Sequence, residues 1–145
     1  MPRSLDIETL IEDAIVSLLP EYVDDDVTVT RWDDIKDKDL TPVVKVAANV
    51  TESQEGTWNL FCASSVLVDI AVFTSRRKDE NGRTANTIRG QVRNLLNMEE
   101  VVDLLNNTQG LSVYNNGIIP QTTDDQTDGK VWQKQLTILV VATTN

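Results

Sequence analysis

The chain has 145 residues, 25% of them charged and 40% hydrophobic, with 23 acids against 13 bases for a net charge of −10. A single domain of this size buries roughly two-thirds of its unfolded surface and folds without disulfide or metal staples. The lack of histidine excludes Ser-His-Asp and Cys-His catalysis and every His-ligated zinc site, and the lone cysteine, Cys62, excludes an intrachain disulfide or a multi-thiolate site. The acidic balance opposes nonspecific binding to nucleic acid or to an anionic membrane.

The opening, Met1-Pro2-Arg3-Ser4-Leu5-Asp6, meets an acid before any apolar run, unlike a secretory signal. The longest apolar stretch, Ser65–Phe73, is interrupted by Asp69 and is too short to span a bilayer. The expectation is a soluble protein made in a reducing cytoplasm, with no membrane partner. In that setting the glycosylation patterns Asn49-Val50-Thr51 and Asn106-Asn107-Thr108 carry no meaning.

The first element is a helix. Ile7, Leu10, Ile11, Ala14, Ile15 and Leu18 recur in steps of three and four, which makes one apolar stripe. Ser4 is the expected N-cap, Asp6 and Glu8 favour the positive end of the helix dipole, and Pro20 ends the helix. Val27–Trp32 then alternates with period two, as a strand does. Residues 33–39 hold Asp33, Asp34, Asp37 and Asp39 and read as a loop. Pro42 opens a second strand running to Val50, at a first position where no ladder donor is missed.

A long third strand is expected over Trp58–Ser75, which lacks Gly and Pro and is rich in β-branched residues. Typical strands hold about 5–6 residues, so this one either bends near Ser64-Ser65 and pairs internally or reaches a partner outside the domain. Arg76–Arg83 is a charged loop containing Asn81-Gly82. A helix follows over Thr84–Leu96, with Ala85, Ile88, Val92 and Leu95 inward. Asn97-Met98-Glu99-Glu100 resembles a capping box for a short third helix, with Val101, Val102, Leu104 and Leu105 inward. Asn106, Asn107 and Gly110 stop it.

Two strands close the chain. Leu111–Ile119 is the first, Pro120–Gly129 is a polar loop, and Val131–Thr144 is the second. The last strand directs Trp132, Leu136, Ile138, Val140 and Ala142 toward the helices and Gln133, Gln135 and Thr137 away from them, or the reverse. The expected fold is α+β: one domain over 1–145, with a mixed or antiparallel β-sheet packed against two or three helices in the order α-β-β-β-α-α-β-β.

Catalytic signals are weak. There is no nucleophile elbow, no phosphate-cradling glycine loop and no dinucleotide fingerprint. Cys62 lies among apolar residues, where a thiol is normally an inert core group. Asp24-Asp25-Asp26 and the Asp33–Asp39 set could hold a divalent cation through oxygen, but the EF-hand spacing and its terminal Glu are missing. Asp69 is an acid inside an apolar strand without the Glu-x-Lys partner of a metal nuclease, and a sheet-edge or interface acid is the simpler account. No catalytic residue, metal ligand or cofactor site is assigned.

Charge is segregated along the chain. Residues 1–55 hold 14 acids and 5 bases, whereas residues 76–93 hold 6 bases and 2 acids. The bases are Arg76, Arg77, Lys78, Arg83, Arg89 and Arg93, and the last two, four apart, share a helix face. The counterpart acids near the C-terminus are Asp124, Asp125 and Asp128. A basic surface meeting an acidic neighbour satisfies both signs. These nine residues are therefore the candidate subunit or partner interface, with an ordinary solvated helix face as the alternative.

The order and spacing resemble those of the tail-terminator proteins of long-tailed phages, the minor tail protein U group. The features carrying the resemblance are the opening helix closed by Leu19-Pro20, the early strand Thr41-Pro42-Val43-Val44-Lys45-Val46, and Trp58-Asn59-Leu60-Phe61 leading a long strand. They continue with the Arg-bearing helix after Asn81-Gly82, an Asp-rich loop, and the closing tryptophan strand from Asp128 to Val140. The resemblance implies a structural role without an active site. The expected assembly is a hexameric ring at the head-proximal end of the tail, assembled in the host cytoplasm. Such a ring stops polymerisation of the tail tube protein and meets the head–tail connector or stopper protein, while DNA passes through its lumen unbound. Six copies would carry a charge of about −60, which keeps phosphates from adhering. A head–tail stopper or tail-completion adaptor is the nearest alternative, and a carboxylate-metal hydrolase or nuclease using Asp69 and the acidic loops is the alternative of another class.

Overall fold

The computed structural model describes residues 6–32, 42–53, 64–107, 110–127 and 130–144. The chain begins with helix α1 (Ile7–Leu18), followed by a 3₁₀ turn (Leu19–Glu21) and strands β1 (Thr28–Arg31), β2 (Val43–Ser53) and β3 (Ser64–Ser75). Helices α2 (Arg83–Leu96) and α3 (Val101–Asn106) come next, and strands β4 (Leu111–Thr127) and β5 (Val131–Thr144) close the chain. The order is the expected one, and the fold is α+β.

The five strands form one sheet in the order β1-β2-β3-β5-β4. β1 runs parallel to β2, and every other neighbouring pair is antiparallel. β3 lies near the centre of the sheet. All 12 of its described residues pair with β5, and ten of them pair with β2. The described part of this strand is therefore paired inside the sheet. The irregularity expected at Ser64-Ser65 lies on the partner strand, where the register slips between Val50 and Glu52 opposite Val66 and Ser65. Residues 58–63 of the expected strand, Cys62 among them, lie outside the described residues, as do residues 33–41.

The helices cover one face of the sheet. The strands send Val44, Val46 and Ala48, then Val66, Val68, Ile70 and Val72, then Leu136, Ile138, Val140 and Ala142 into a single core. The helices answer with Leu10, Ile11 and Ile15 from α1, Ile88, Val92 and Leu95 from α2, and Val101 and Leu105 from α3. Each such aliphatic side chain contributes roughly 1.5–3 kcal/mol when fully removed from water. Of the two possible parities of β5, the one directing Leu136 and Ile138 to the helices is realised. Gln133, Gln135 and Thr137 stand half-buried on the opposite face, beside Lys45, Asp69 and Phe73. Lys134 joins the core side of β5 although it is charged, and it is 6% exposed.

α1 also completes an open edge of the sheet. β1 stops at Arg31, and beyond it β2 has no backbone neighbour on that side among the described residues. The Glu12 carboxylate accepts the Ala48 N–H at 2.8 Å and binds Arg31 at 2.9 Å, and the Glu8 carboxylate accepts the Val50 N–H at 2.9 Å. Two glutamates one helical turn apart thus substitute for missing strand carbonyls.

Three expectations are corrected. The cap of α1 is Asp6, whose carboxylate accepts the Thr9 N–H at 2.8 Å and its hydroxyl at 3.1 Å; Ser4 lies outside the described residues. Residues 97–100 do not form a capping box. Asn97 ends α2 with helical backbone angles (φ −91°, ψ −4°), whereas an N-cap needs an extended backbone, and α3 starts at Val101 with no side-chain cap. The polar stretch after Pro120 is not a loop. β4 continues through it to Thr127, with register shifts between Val113 and Ile118 and between Pro120 and Thr122. Pairing with β5 overrides the weak strand propensity of Pro120, Asp124 and Asp125. At the first shift Gly117 is required, because a Cβ there would meet two backbone carbonyls, of Tyr114 at 2.7 Å and Val141 at 2.8 Å.

Ile138→Asp places an unpaired carboxylate in the core, at a cost of several kcal/mol against a total stability of roughly 5–15 kcal/mol. Circular dichroism should show a chain that does not fold cooperatively. Gln135→Asp, on the opposite face, should retain the native spectrum and a cooperative thermal transition.

Candidate assembly surface

The segment between β3 and α2 is polar and highly charged, yet its geometry is tightly specified. The Lys78 and Asp79 N–H groups return to the Ser75 carbonyl at 3.1 and 2.9 Å, and the Gly82 N–H returns to the Asp79 carbonyl at 3.2 Å. Gly82 sits in the left-handed region at φ 69°, directly under Trp132; a Cβ there would lie 3.2 Å from the indole.

Asp79 organises this turn from within. It is 7% exposed. Its carboxylate accepts the Thr74 hydroxyl at 2.8 Å and the first-turn N–H groups of α2 at Thr84 (3.1 Å) and Ala85 (3.0 Å). Its carbonyl accepts the Trp132 indole N–H at 2.9 Å. Asp79 therefore serves as the helix cap that Gly82 cannot supply. Burial alone would raise its carboxyl pKa; the donors from Thr84, Thr74 and Ala85 outweigh that and hold it below the ordinary value of 3.8.

The candidate interface residues divide around this node. Arg77, Lys78 and Arg83 are exposed and make no ion pair among the described residues. Arg76 lies over the Trp132 ring, its guanidinium carbon 5.2 Å from the centroid. Arg89 is turned inward. Its guanidinium pairs with the Asp125 carboxylate and also reaches the Asn86 side chain at 3.2 Å. Asp125 receives the Lys134 ammonium at 2.9 Å as well, and that ammonium also sits 4.8 Å from the Trp132 centroid. Hydrogen bonding from Lys134, then Arg89, holds the Asp125 carboxyl below its ordinary range. Arg93 shares the Arg89 side of α2, remains exposed, and borders a groove of about 260 Å³ beside Pro120–Thr123. Asp124 is exposed and accepts the Gln126 side-chain amide at 2.8 Å. Asp128 lies outside the described residues.

Arg89 and Asp125 were expected on opposite sides of a contact between two subunits. They instead close against each other within one chain, because β4 extends far enough to bring Asp125 over α2. Sequence reading also missed two kinds of residue. Asp79 and Lys134 fall at buried positions only once the turn and β4 are placed. Glu99, Glu100 and Asp103 form an exposed acidic group at the far end of α2, hidden in the sequence by the capping-box reading.

The remaining candidates carry little chemistry. Asp69 is half-buried and accepts the Thr137 hydroxyl at 2.7 Å, and its cross-strand neighbours are Ala47 and Thr137. Asp24, Asp25 and Asp26 form an exposed turn in which Asp24 accepts the Gln91 amide at 3.2 Å. Among the described residues no three His, Cys, Asp or Glu side chains are placed to share a metal ion, and no helix is long and apolar enough to cross a membrane. No protein-family model matches the chain, and no curated protein matches it in sequence.

Asp79→Ala removes three hydrogen bonds to a buried carboxylate and should destabilise the chain by roughly 2–3 kcal/mol in urea titrations. Because the folded pKa is depressed, the stability Asp79 confers is complete above its ordinary value and is lost as pH falls through the folded value. The difference between wild type and Asp79→Asn should shrink over that acid range; an unchanged difference would show that the carboxylate charge contributes nothing.

Proposed function

We propose that this chain is a structural subunit of a long-tailed phage neck: a tail terminator that caps the tail tube as a ring and offers the joining surface to the head connector. The ring, hexameric on the family resemblance, ends tube polymerisation and lets DNA pass without holding it. The reading rests first on the order and spacing of the opening helix, early strand, Arg-bearing helix and closing tryptophan strand. The observation that carries it further is the rigid display of Arg77, Lys78 and Arg83. Three bases without ion pairs among the described residues stand on a framework of a buried carboxylate and an indole, in a chain of net charge −10. A fixed charged surface of this kind suits recognition of an acidic macromolecular neighbour. A head–tail stopper or adaptor would use the same surface and differs in which partner the ring meets. The hydrolase reading has less support, since Asp69 is already engaged by Thr137 and has no carboxylate across either strand pair.

The test is tube assembly. Tail tube protein polymerised with the purified chain should give tubes of limited length, with ring-shaped density at one end in electron micrographs. Tubes of unrestricted length with bare ends would overturn the terminator reading. Metal-dependent nuclease or phosphatase turnover that disappears in Asp69→Asn would replace it with the enzyme.

A further inference from the structure

α2 separates two surfaces of opposite charge. At its N-terminal end stand Arg77, Lys78 and Arg83, exposed, without ion pairs among the described residues and outnumbering the one exposed acid of the turn, Glu80. Past its C-terminal end stand Glu99, Glu100 and Asp103, equally exposed and equally unpaired among the described residues. The helix is 14 residues long, so about 20 Å of rise lies between the two groups, and they cannot neutralise each other within one chain.

The acidic end is also concave. A groove of about 470 Å³ opens between the end of α2, α3 and β4, with Met98, Val102 and Ile118 on its apolar side and Glu99 and Asp103 on its rim. Met98, Val102 and Ile118 are only partly covered by the core. The basic end, by contrast, is a tightly hydrogen-bonded turn with its basic side chains exposed. Arginine and lysine suit such a groove, since their aliphatic stems cover apolar surface while their heads meet the rim charges.

We propose that the groove is the docking site for a second copy of this chain, whose 77–83 turn seats against Glu99 and Asp103. The contact is head-to-tail: each copy gives its turn to one neighbour and its groove to the other. Unlike surfaces at opposite ends of one helix are what a cyclic assembly needs, because a self-complementary patch would stop at a dimer. This inference rests on the ring reading and adds the pairing within it. It replaces Asp125 as the acidic mate, since that carboxylate is already held by Arg89 and Lys134.

Two experiments decide it. Zero-length carbodiimide coupling joins an amine only to a carboxylate that touches it. In a mixture of isotopically light and heavy chain, with and without tail tube protein, Lys78 of one label should couple to Glu99 or Asp103 of the other. Coupling between copies only at other residues would overturn the docking while leaving the ring reading intact; no coupling between copies in either condition would overturn both. Charge reversal is the second experiment. Lys78→Glu/Arg83→Glu and Glu99→Lys/Asp103→Lys change exposed residues only and should keep the native circular dichroism spectrum. Each variant alone should sediment at the monomer mass of 16.2 kDa under conditions where wild type assembles. An equimolar mixture of the two should recover assembly, because each turn then meets a groove of opposite sign. Assembly of either variant alone at the wild-type level, or a mixture that stays monomeric, would overturn the pairing.

Discussion

The buried carboxylate of Asp79 is the contact on which the charged end of this molecule depends. The turn between β3 and α2 carries three bases, Arg76, Arg77 and Lys78, and has no apolar residue to anchor it. Left to its own electrostatics, it would spread into solvent. Asp79 instead draws together the end of β3 through Thr74, the first turn of α2 through two backbone N–H groups, and β5 through the indole of Trp132. A hydrogen-bonded carboxylate in a low-dielectric site is costly to disturb, because losing one partner leaves a charge unsatisfied. The surface bases thereby gain fixed positions that their own flexible side chains would not supply.

The one-sided sheet sets the second constraint. All three helices bury one face, so that face is continuous and aliphatic, and the opposite face carries a mixed row of Lys45, Asp69, Gln133, Gln135 and Thr137. Satisfying backbone groups at the short β1 edge falls to Glu8 and Glu12 of α1. Part of the chain's large acid content therefore serves the fold itself. The net charge is thus not a uniform coat: some carboxylates complete a sheet, Asp6 and Asp79 cap helices, one receives two cations, and Glu99, Glu100 and Asp103 are exposed without an ion pair among the described residues.

That division bears on function. Charge that is already matched within the chain cannot recognise a neighbour, so the surface available for assembly is what remains after the internal pairs are removed. Among the described residues, what remains includes a basic group at one end of α2 and an acidic group past the other. The reading of the protein as a ring subunit and the assignment of how its copies meet both draw on that residue of unmatched charge, set on elements too rigid to rearrange easily.

Much of the fold could be read from periodicity. The stripe from Ile7 to Leu18, the inward set of α2 and the alternation from Trp132 to Ala142 each specify a buried face through local spacing, and each lies where spacing places it. Spacing fails where a long-range partner decides. Gln121–Thr127 has loop composition and becomes strand because β5 lies beside it. Asn97–Glu100 carries the letters of a capping box, but the backbone at Asn97 continues the helix. Lys134 looks like a solvent residue and is buried because Trp132 and Asp125 both receive its ammonium. Which bases are free and which are spent is likewise invisible in the chain order, since Arg89 and Asp125 are 36 residues apart and meet only through the sheet. Local spacing of apolar residues specifies the three helices, the order of the elements and their apolar positions. The end of β4, the face that β5 turns to the helices and the matching of charges come from the assembled sheet, because they depend on distances between elements that no local pattern encodes.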